Sequence, residues 1–254
     1  MHSPLKSKNE SAICVNEINK LIEIPSKINS FAFFTGDLEF RLSDYGHYIS
    51  AHTVNQYVYE FWEHVMTDPG RLYDVVNGPH CQFDGAEAFY SLQKTWSLET
   101  GITRAALFYI LNRCSDVGGI SRGCLDIEGF NYFSNRHLRD IRLPHNFELI
   151  LDDDLSLDSQ IKHAEPADYA ITHLGRFGYN LFDRGRLRGP EDTPVNHRKI
   201  RDVMTQGDTK MLMVYKYHPQ IKTFFSDFNL IFVDGCGVPC DDQETSKEVI
   251  VTNV

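Results

Sequence analysis

Strand-like patterns occur at both ends of this chain, and a long helical stretch separates them. Short apolar runs at residues 48–53, 147–151, 229–233 and 248–252 alternate with helical patterns. Alternation of this kind favours a sheet that is covered by helices on both faces. The stretch at 54–144 carries one helical pattern after another. The sequence therefore predicts an α/β fold interrupted by an inserted helical domain.

The predicted division of the chain follows from this pattern. Residues 1–53 and 145–254 form the α/β core, and residues 54–144 form the helical domain. With 254 residues, of which 42% are hydrophobic, the chain is long enough to bury a sizeable core. A loop is expected at 177–193, where glycine is frequent. That loop contains three closely spaced arginines, Arg184, Arg186 and Arg188.

Charge and cysteine usage restrict the classes of partner. The formal net charge is −10, and because DNA affinity depends on cations against phosphates, strong indiscriminate DNA binding is disfavoured. No apolar run is long enough for a membrane helix, and the first residues lack an apolar signal core, so no membrane contact is expected. Six cysteines without a framework spacing indicate reduced thiols in a cytoplasmic protein.

Metal binding is weakly indicated. Cys236 and Cys240 form a single C-x3-C, to which His80 and Cys81 could add ligands, and residues 152–154 are three consecutive aspartates. Chance spacing is the commoner origin of the first pattern, and a solvated helix start is the commoner origin of the second. We therefore predict no metal site.

The most distinctive stretch is residues 105–122, AALFYILNRCSDVGGISR. Its first half is apolar on every side, which predicts a buried helix, and the glycine pair that follows permits a tight reversal. Three polar residues around this reversal are candidates for a binding role: Asn112, Arg113 and Arg122. A core helix followed by a polar turn is the commoner explanation of such a pattern.

This stretch resembles a block of the D12-class (Dam-like) N6-adenine DNA methyltransferases, which reads approximately "F-φ-LNR-(S/T)-F-x-G-x-x-R". In that family the block belongs to the DNA-recognition domain, so the resemblance implies that Asn112, Arg113 and Arg122 are DNA-binding candidates. The order of elements is similar along nearly the whole chain, and the ending KEVIVTNV is close to the family's. The resemblance implies a Rossmann-like S-adenosylmethionine-methyltransferase sheet.

The cofactor-binding motifs that the resemblance implies are degenerate. The family's glycine motif, "E-P-F-x-G-x-G", corresponds to residues 32–38, where only Gly36 remains and Asp37 and Leu38 carry side chains. The ribose-binding aspartate corresponds to His52, which is not an anionic acceptor. The opening "K-W-A-G-G-K" has no counterpart. We therefore expect no cofactor; S-adenosylmethionine is expected only if the enzyme is active with divergent motifs.

The catalytic loop is degenerate as well. The family's "D-P-P-Y" should follow the strand that ends near residue 172, and the residues there are His173, Leu174, Gly175 and Arg176. The carboxylate, both prolines and the stacking tyrosine are replaced, and the chain contains no other Asp/Asn-Pro-Pro-aromatic run. A histidine in this position is expected to lie on an exposed loop.

Three functions remain open at this point. The first is a catalytically inactive homologue that acts as a binding or structural protein. Close relatives of this form are commonly phage-encoded, which implies a host-cytoplasmic protein or a virion component. The second is an active N6-adenine methyltransferase with divergent motifs, and the third is a non-catalytic DNA-binding subunit of one. A protein partner or a homo-oligomer is expected, with DNA possible and Tyr57, Phe61 and Trp62 as exposed contact residues.

Overall fold

The computed structural model describes residues 2–7, 12–153, 156–177, 190, 195–241 and 245–254. Within these ranges, seven strands form one sheet. They are β1 (Lys27–Phe31), β2 (Tyr48–Thr53), β3 (Phe147–Leu151), β4 (Tyr169–Arg176), β5 (Met211–Lys216), β6 (Asn229–Val233) and β7 (Glu248–Thr252).

The strand order is β3-β2-β1-β4-β5-β7-β6. Strands β1 to β5 are parallel, and β7 runs antiparallel to both β5 and β6. The order reverses between β1 and β4, as it does in a doubly wound, Rossmann-like sheet. The predicted α/β class is confirmed. In such sheets, ligands bind beyond the carboxyl ends of the strands at this point of reversal.

Ten α-helices surround the sheet in the described part of the chain. They are α1 (Val15–Leu21), α2 (Asp37–Asp44), α3 (Gln56–Thr67), α4 (Pro69–Val76), α5 (Gly85–Thr95), α6 (Gly101–Cys114), α7 (Tyr132–Asp140), α8 (Leu157–His163), α9 (His197–Gln206) and α10 (Gln220–Phe224). Helix α4 begins with a capped turn: the Asp68 carboxylate accepts from the Arg71 amide at 2.9 Å, and Pro69 occupies the first helical position.

Alternate residues of the strands face two different hydrophobic clusters. In β5, Leu212 and Val214 belong to the cluster formed with α1–α7, whereas Met211, Met213 and Tyr215 belong to the cluster formed with α8–α10. A strand that is buried on both faces needs apolar residues throughout, and β5 has them. The prediction of helices on both faces is therefore confirmed.

The helices of residues 54–144 share a core with the sheet. The ring of Trp62 on α3 lies 5.5 Å from that of Phe33, which follows β1, and the rings of Phe61 and Phe108 stack at 5.3 Å between α3 and α6. One hydrophobic cluster therefore continues from the strands into the helical block. The division into two domains remains a prediction.

Local geometry fixes the end of β1 and the start of α2. Strand β1 ends at Phe31, because Ala32 has a φ of +57° and turns the chain away from the sheet. Helix α2 begins at Asp37, although its buried residues Leu38, Phe40 and Leu42 have the two-residue spacing of a strand. In the described ranges, none of the helices has the length and apolar character needed to cross a bilayer.

Candidate functional site

A small cavity lies beyond β1 and β4. It has a volume of about 10 Å³ and is lined by Ala32, Phe34, Thr35, Asp37, Leu38, Glu39 and His173. A volume of this size is at the lower limit for one water molecule, whereas sites for cofactor-sized ligands occupy roughly 300–1,000 Å³. As lined by these described residues, the cavity is too small for a ligand the size of S-adenosylmethionine.

Gly36 is used for packing at this edge. It has a φ of +81° and precedes α2, and a Cβ atom at this position would lie 2.6 Å from the ring of Phe40. The close approach of the Phe40 ring, which belongs to α2, therefore accounts for a glycine at this position. The next residue, Asp37, has its carboxylate 2.8 Å from the backbone amide of Ser3, from which it accepts a hydrogen bond.

His52 is buried at the end of β2. It is 5% exposed, its ring stacks on that of Phe31 at 4.8 Å, and its Nδ1 lies 3.1 Å from the carboxylate of Asp152, which follows β3. The position expected to hold a ribose-binding carboxylate thus holds an imidazole in contact with a protein carboxylate. This contact joins the carboxyl ends of β2 and β3.

Aromatic side chains occupy the region behind the glycine turn. The Trp62 ring lies 5.2 Å from that of Phe40, and Phe147 lies 5.7 Å from Phe33. Phe61 and Trp62 are fully buried, so the expectation that they contact a partner at the surface is wrong. Tyr57 is half-buried, and its ring packs against that of Trp96 at 5.0 Å. The apolar rings of these three residues pack inside the protein. The sequence alone does not show this.

The residues of the degenerate catalytic loop are not in a loop. His173, Leu174, Gly175 and Arg176 continue β4 and pair with β5, with a change of register between His173 and Gly175. His173 is buried, so the expectation of an exposed histidine is wrong. Gly175 has a φ of +61°, which accommodates the irregularity.

A buried carboxylate that the sequence analysis missed lies next to His173. Glu248, at the start of β7, is 0% exposed, and its side chain lies 3.7 Å from His173 Nε2 and 3.2 Å from Lys216 Nζ. It also accepts from the backbone amide of Cys14 at 3.1 Å. Burial, followed by the Glu248 charge, raises the pKa of the Cys14 thiol well above its ordinary value. The only available signal was an acidic residue beginning an apolar strand.

The DNA-binding candidates Asn112 and Arg113 have side chains that contact the protein itself. The amide of Asn112 is fully buried; it donates to the carbonyls of Lys6 and Gly118 at 2.9 and 2.6 Å and accepts from the Lys6 amide. Arg113 donates to the carbonyl of Gly129 at 2.8 Å. In this structure the Asn112 side chain does not face solvent and therefore does not reach a base. Arg122 is half-buried.

Among the described residues, the two most exposed aromatic side chains lie on helix α7. Tyr132 is 64% exposed and Phe133 is 80% exposed, and their rings lie 5.8 Å apart. Arg136 and Arg139 follow on the same helix and both contact the carboxylate of Asp140, at 3.3 and 2.8 Å. We call these residues, Tyr132 to Arg139, the α7 face. It combines exposed rings with positive charge on an acidic protein.

The remaining candidate ligands do not form a cluster. In the ranges that the structure covers, no three His, Cys, Asp or Glu side chains are grouped as metal ligands. All six cysteines are unpaired, and three of them, Cys14, Cys81 and Cys114, are buried. Asp154 and the arginine-rich loop with Arg184, Arg186 and Arg188 lie outside the described residues.

Comparison with known proteins adds no family. A scan against protein-family models finds no match. A search of curated proteins finds no match either. The function is therefore argued from the residues and their geometry.

Proposed function

We propose that this chain is a catalytically inactive homologue of DNA adenine methyltransferases that acts as a binding or structural protein. The observation that carries the proposal is the small size, about 10 Å³, of the cavity that the described residues line beyond β1 and β4. The assignment to this family rests on the resemblance of residues 105–122 and on the order of strands and helices.

The chemistry of methyl transfer explains why so small a cavity favours inactivity. An enzyme of this kind must hold its cofactor and a flipped adenine in a fixed orientation, and orientation supplies much of the rate. Here the ribose position is occupied by the His52–Asp152 contact, and residues 173–176 form strand backbone. The alternative of an active enzyme with divergent motifs would require a larger cavity at this edge.

Calorimetry tests the proposal directly. We expect no heat of binding when S-adenosylmethionine or S-adenosylhomocysteine is titrated into the full chain, and no transfer of labelled methyl groups to DNA. An active adenine methyltransferase in the same buffer serves as the positive control. Micromolar binding of either compound would overturn the proposal and favour the active alternative.

We assign the binding role to the α7 face. Solvent-exposed aromatic rings beside arginines are typical of protein contact sites, in which Tyr, Phe and Arg are enriched. The partner is a second copy of the chain or another protein. Sedimentation of the full chain over a range of concentrations shows whether the chain associates with itself. If the partner is a second copy, the double variant Tyr132→Ser/Phe133→Ser should weaken this self-association; if the partner is another protein, it should not. Tyr90→Ser, at a ring 40% exposed on α5, is the matched control.

A DNA-binding subunit is the second candidate. It is favoured by the surplus of positive charge at α7, where Arg136 and Arg139 contact one carboxylate, that of Asp140, and the exposed Arg142 follows two residues later. If DNA is bound, Arg122→Ala should weaken discrimination between sequences by about 1–3 kcal/mol, the value of a bidentate Arg–guanine pair. Affinity that falls steeply with salt would support this candidate, and salt-independent behaviour would exclude it. A virion or host-cytoplasmic location is proposed from the resemblance alone.

A further inference from the structure

One face of the sheet has an apolar cover over only part of its width. On the other face, β2 and β3 contribute Ile49, Ala51 and Phe147 to the cluster formed with α1–α7. Among the described residues, the cluster formed with α8–α10 includes Phe31 of β1 but no residue of β2 or β3. Parallel sheets are ordinarily covered by apolar packing on both faces. The surface of β2 and β3 on the α8–α10 side is therefore unusual for such a sheet.

This surface carries polar side chains. Successive residues of a strand point to opposite faces, so Tyr48 and Ser50 lie on the side opposite to Ile49. The register places Ser50 between Asn29 of β1 and Glu148 of β3. The three strands thus present a phenol ring, a hydroxyl, an amide and a carboxylate side by side. This group lies towards the amino ends of the strands, away from the small cavity beyond β1 and β4.

These side chains form the floor of a cavity of about 290 Å³. This volume is close to the lower end of the roughly 300–1,000 Å³ that small-molecule sites occupy. The segment between α8 and β4, which includes Glu165, also lines the cavity. It is fixed to β1 by two hydrogen bonds: Asn29 Nδ2 donates to the Glu165 carbonyl at 2.8 Å, and the Lys27 amide donates to the Asp168 carboxylate at 2.7 Å. Floor and wall are therefore held together.

The polar groups that face this cavity are mainly hydrogen-bond acceptors. Asn29 is 8% exposed, and its described side-chain hydrogen bond uses Nδ2, which leaves Oδ1 as an acceptor. The Glu148 carboxylate accepts from the Ser50 hydroxyl, which orients it. The lining has two carboxylates, Glu148 and Glu165, and one ammonium group, that of Lys27, on a chain with a formal net charge of −10. A cation that donates hydrogen bonds complements these groups.

The ring of Tyr48 adds a further preference. It is 57% exposed and lines the same cavity. Cations are attracted to the face of an aromatic ring, and a methylene chain packs against the same surface. A primary amine provides the positive charge, the N–H donors and the methylene chain together. A quaternary ammonium ion has the charge but no donor for Asn29 or Glu148.

We propose that this cavity binds a primary di- or polyamine. We call it the amine cavity and define it by Lys27, Asn29, Tyr48, Ser50, Glu148 and Glu165. The carboxylate of Glu148 and the Oδ1 of Asn29 accept hydrogen bonds from an ammonium group of the ligand, and the Tyr48 ring packs against its chain. The proposal is independent of the function proposed above, because the amine cavity lies at the other end of the strands.

Calorimetry at physiological ionic strength provides the first test. We expect saturable binding when spermidine is titrated into the full chain, and at least tenfold weaker binding of choline, which is a quaternary ammonium ion. The absence of saturable spermidine binding would overturn the proposal. Equal affinity for choline would also overturn it, because recognition would then not depend on N–H donors.

Two pairs of variants separate the cavity from the general acidity of the protein. Glu148→Gln and Glu63→Gln change the net charge equally, but Glu63 is an exposed residue of α3 outside the lining. Spermidine should bind at least tenfold more weakly to Glu148→Gln and with nearly unchanged affinity to Glu63→Gln. Tyr48→Leu should weaken binding about threefold, whereas Tyr48→Phe, which keeps the ring, should not. Equal losses for the two glutamate variants would refute a specific site.

Nuclear magnetic resonance of the unaltered protein gives a test that needs no variant. Added spermidine should shift the amide resonances of Asn29, Ser50 and Glu148 and leave those of Tyr132 and Phe133 on the α7 face unchanged. Shifts that occur elsewhere but at none of the three cavity residues would contradict the proposal.

Discussion

The imidazole of His52 lies 3.1 Å from the carboxylate of Asp152, although the two residues are 100 positions apart in the chain. His52 ends β2 and Asp152 follows β3, so the contact joins the carboxyl ends of two neighbouring parallel strands. Ligands of doubly wound sheets bind beyond such strand ends. Here His52 and Asp152, which lie beyond these strand ends, contact each other instead.

This contact predicts that an aspartate at position 52 is harmful. His52→Asp would place a second carboxylate beside Asp152 at a buried position, where like charges and a lost hydrogen bond both oppose folding. We expect a loss of about 1–3 kcal/mol in the free energy of unfolding, measured in urea at pH 7. His52→Asn, which keeps a donor for Asp152, should lose less. A fully stable His52→Asp protein that binds S-adenosylmethionine would contradict our account of this edge.

The aromatic core predicts that removing one ring costs much stability and that removing another costs almost none. Trp62 is buried, and its Nε1 donates to the carbonyl of Phe34 at 2.8 Å, so Trp62→Ala should cost about 3–5 kcal/mol. Phe133 is 80% exposed, and Phe133→Ala should change stability by less than about 0.5 kcal/mol. Both values come from chemical unfolding followed by circular dichroism. Similar losses for the two variants would mean that the assignment of core and surface is wrong.

Strand β4 predicts the outcome of rebuilding the catalytic loop. Replacing residues 173–176 by Asp-Pro-Pro-Tyr would put proline at Gly175, whose φ of +61° proline does not adopt, and would break the pairing with β5. We expect a loss of about 3 kcal/mol or more and no methyl transfer. Arg176→Tyr alone, at an exposed position, is the control and should be nearly neutral. Methylation of DNA by the rebuilt chain would refute the conclusion that several features block activity.

His197 predicts a pH dependence of stability. Burial lowers its pKa to about 4, and its Nδ1 lies 2.9 Å from the hydroxyl of Tyr215. In the unfolded chain histidine titrates near pH 6.5. Between that pH and pH 4, the unfolded state therefore binds a proton at this histidine and the folded state does not. Stability from this residue is complete above pH 6.5 and is lost as the pH falls towards 4.

The size of this effect is measurable with one variant. A difference in pKa of this size corresponds to about 3 kcal/mol in total, of which about 2 kcal/mol is lost between pH 7 and pH 5. His197→Gln removes the titrating group, so its free energy of unfolding should fall by about 2 kcal/mol less over that interval than that of the unaltered protein. Parallel pH profiles of the two proteins would contradict the assignment.

Local patterns were sufficient for most of the sheet. The predicted bounds of β2, β3, β6 and β7 coincide with the observed ones, because each is a short apolar run bounded by polar residues. Such patterns are insufficient at α2, where the buried residues Leu38, Phe40 and Leu42 have strand-like spacing although the segment is a helix. Short segments are the ones for which packing decides between helix and strand.

The sequence by itself determined the fold class, the order of most elements and the absence of the family's motifs, since these depend on neighbouring residues. Tertiary structure alone decided that Trp62 fills the core, that His173 is buried beside Glu248, and that Asn112 holds Lys6, 106 positions away. The physical reason is that burial and hydrogen-bond partners are set by distant parts of the chain meeting in the folded state. A local sequence pattern does not identify the distant residues that a side chain will contact.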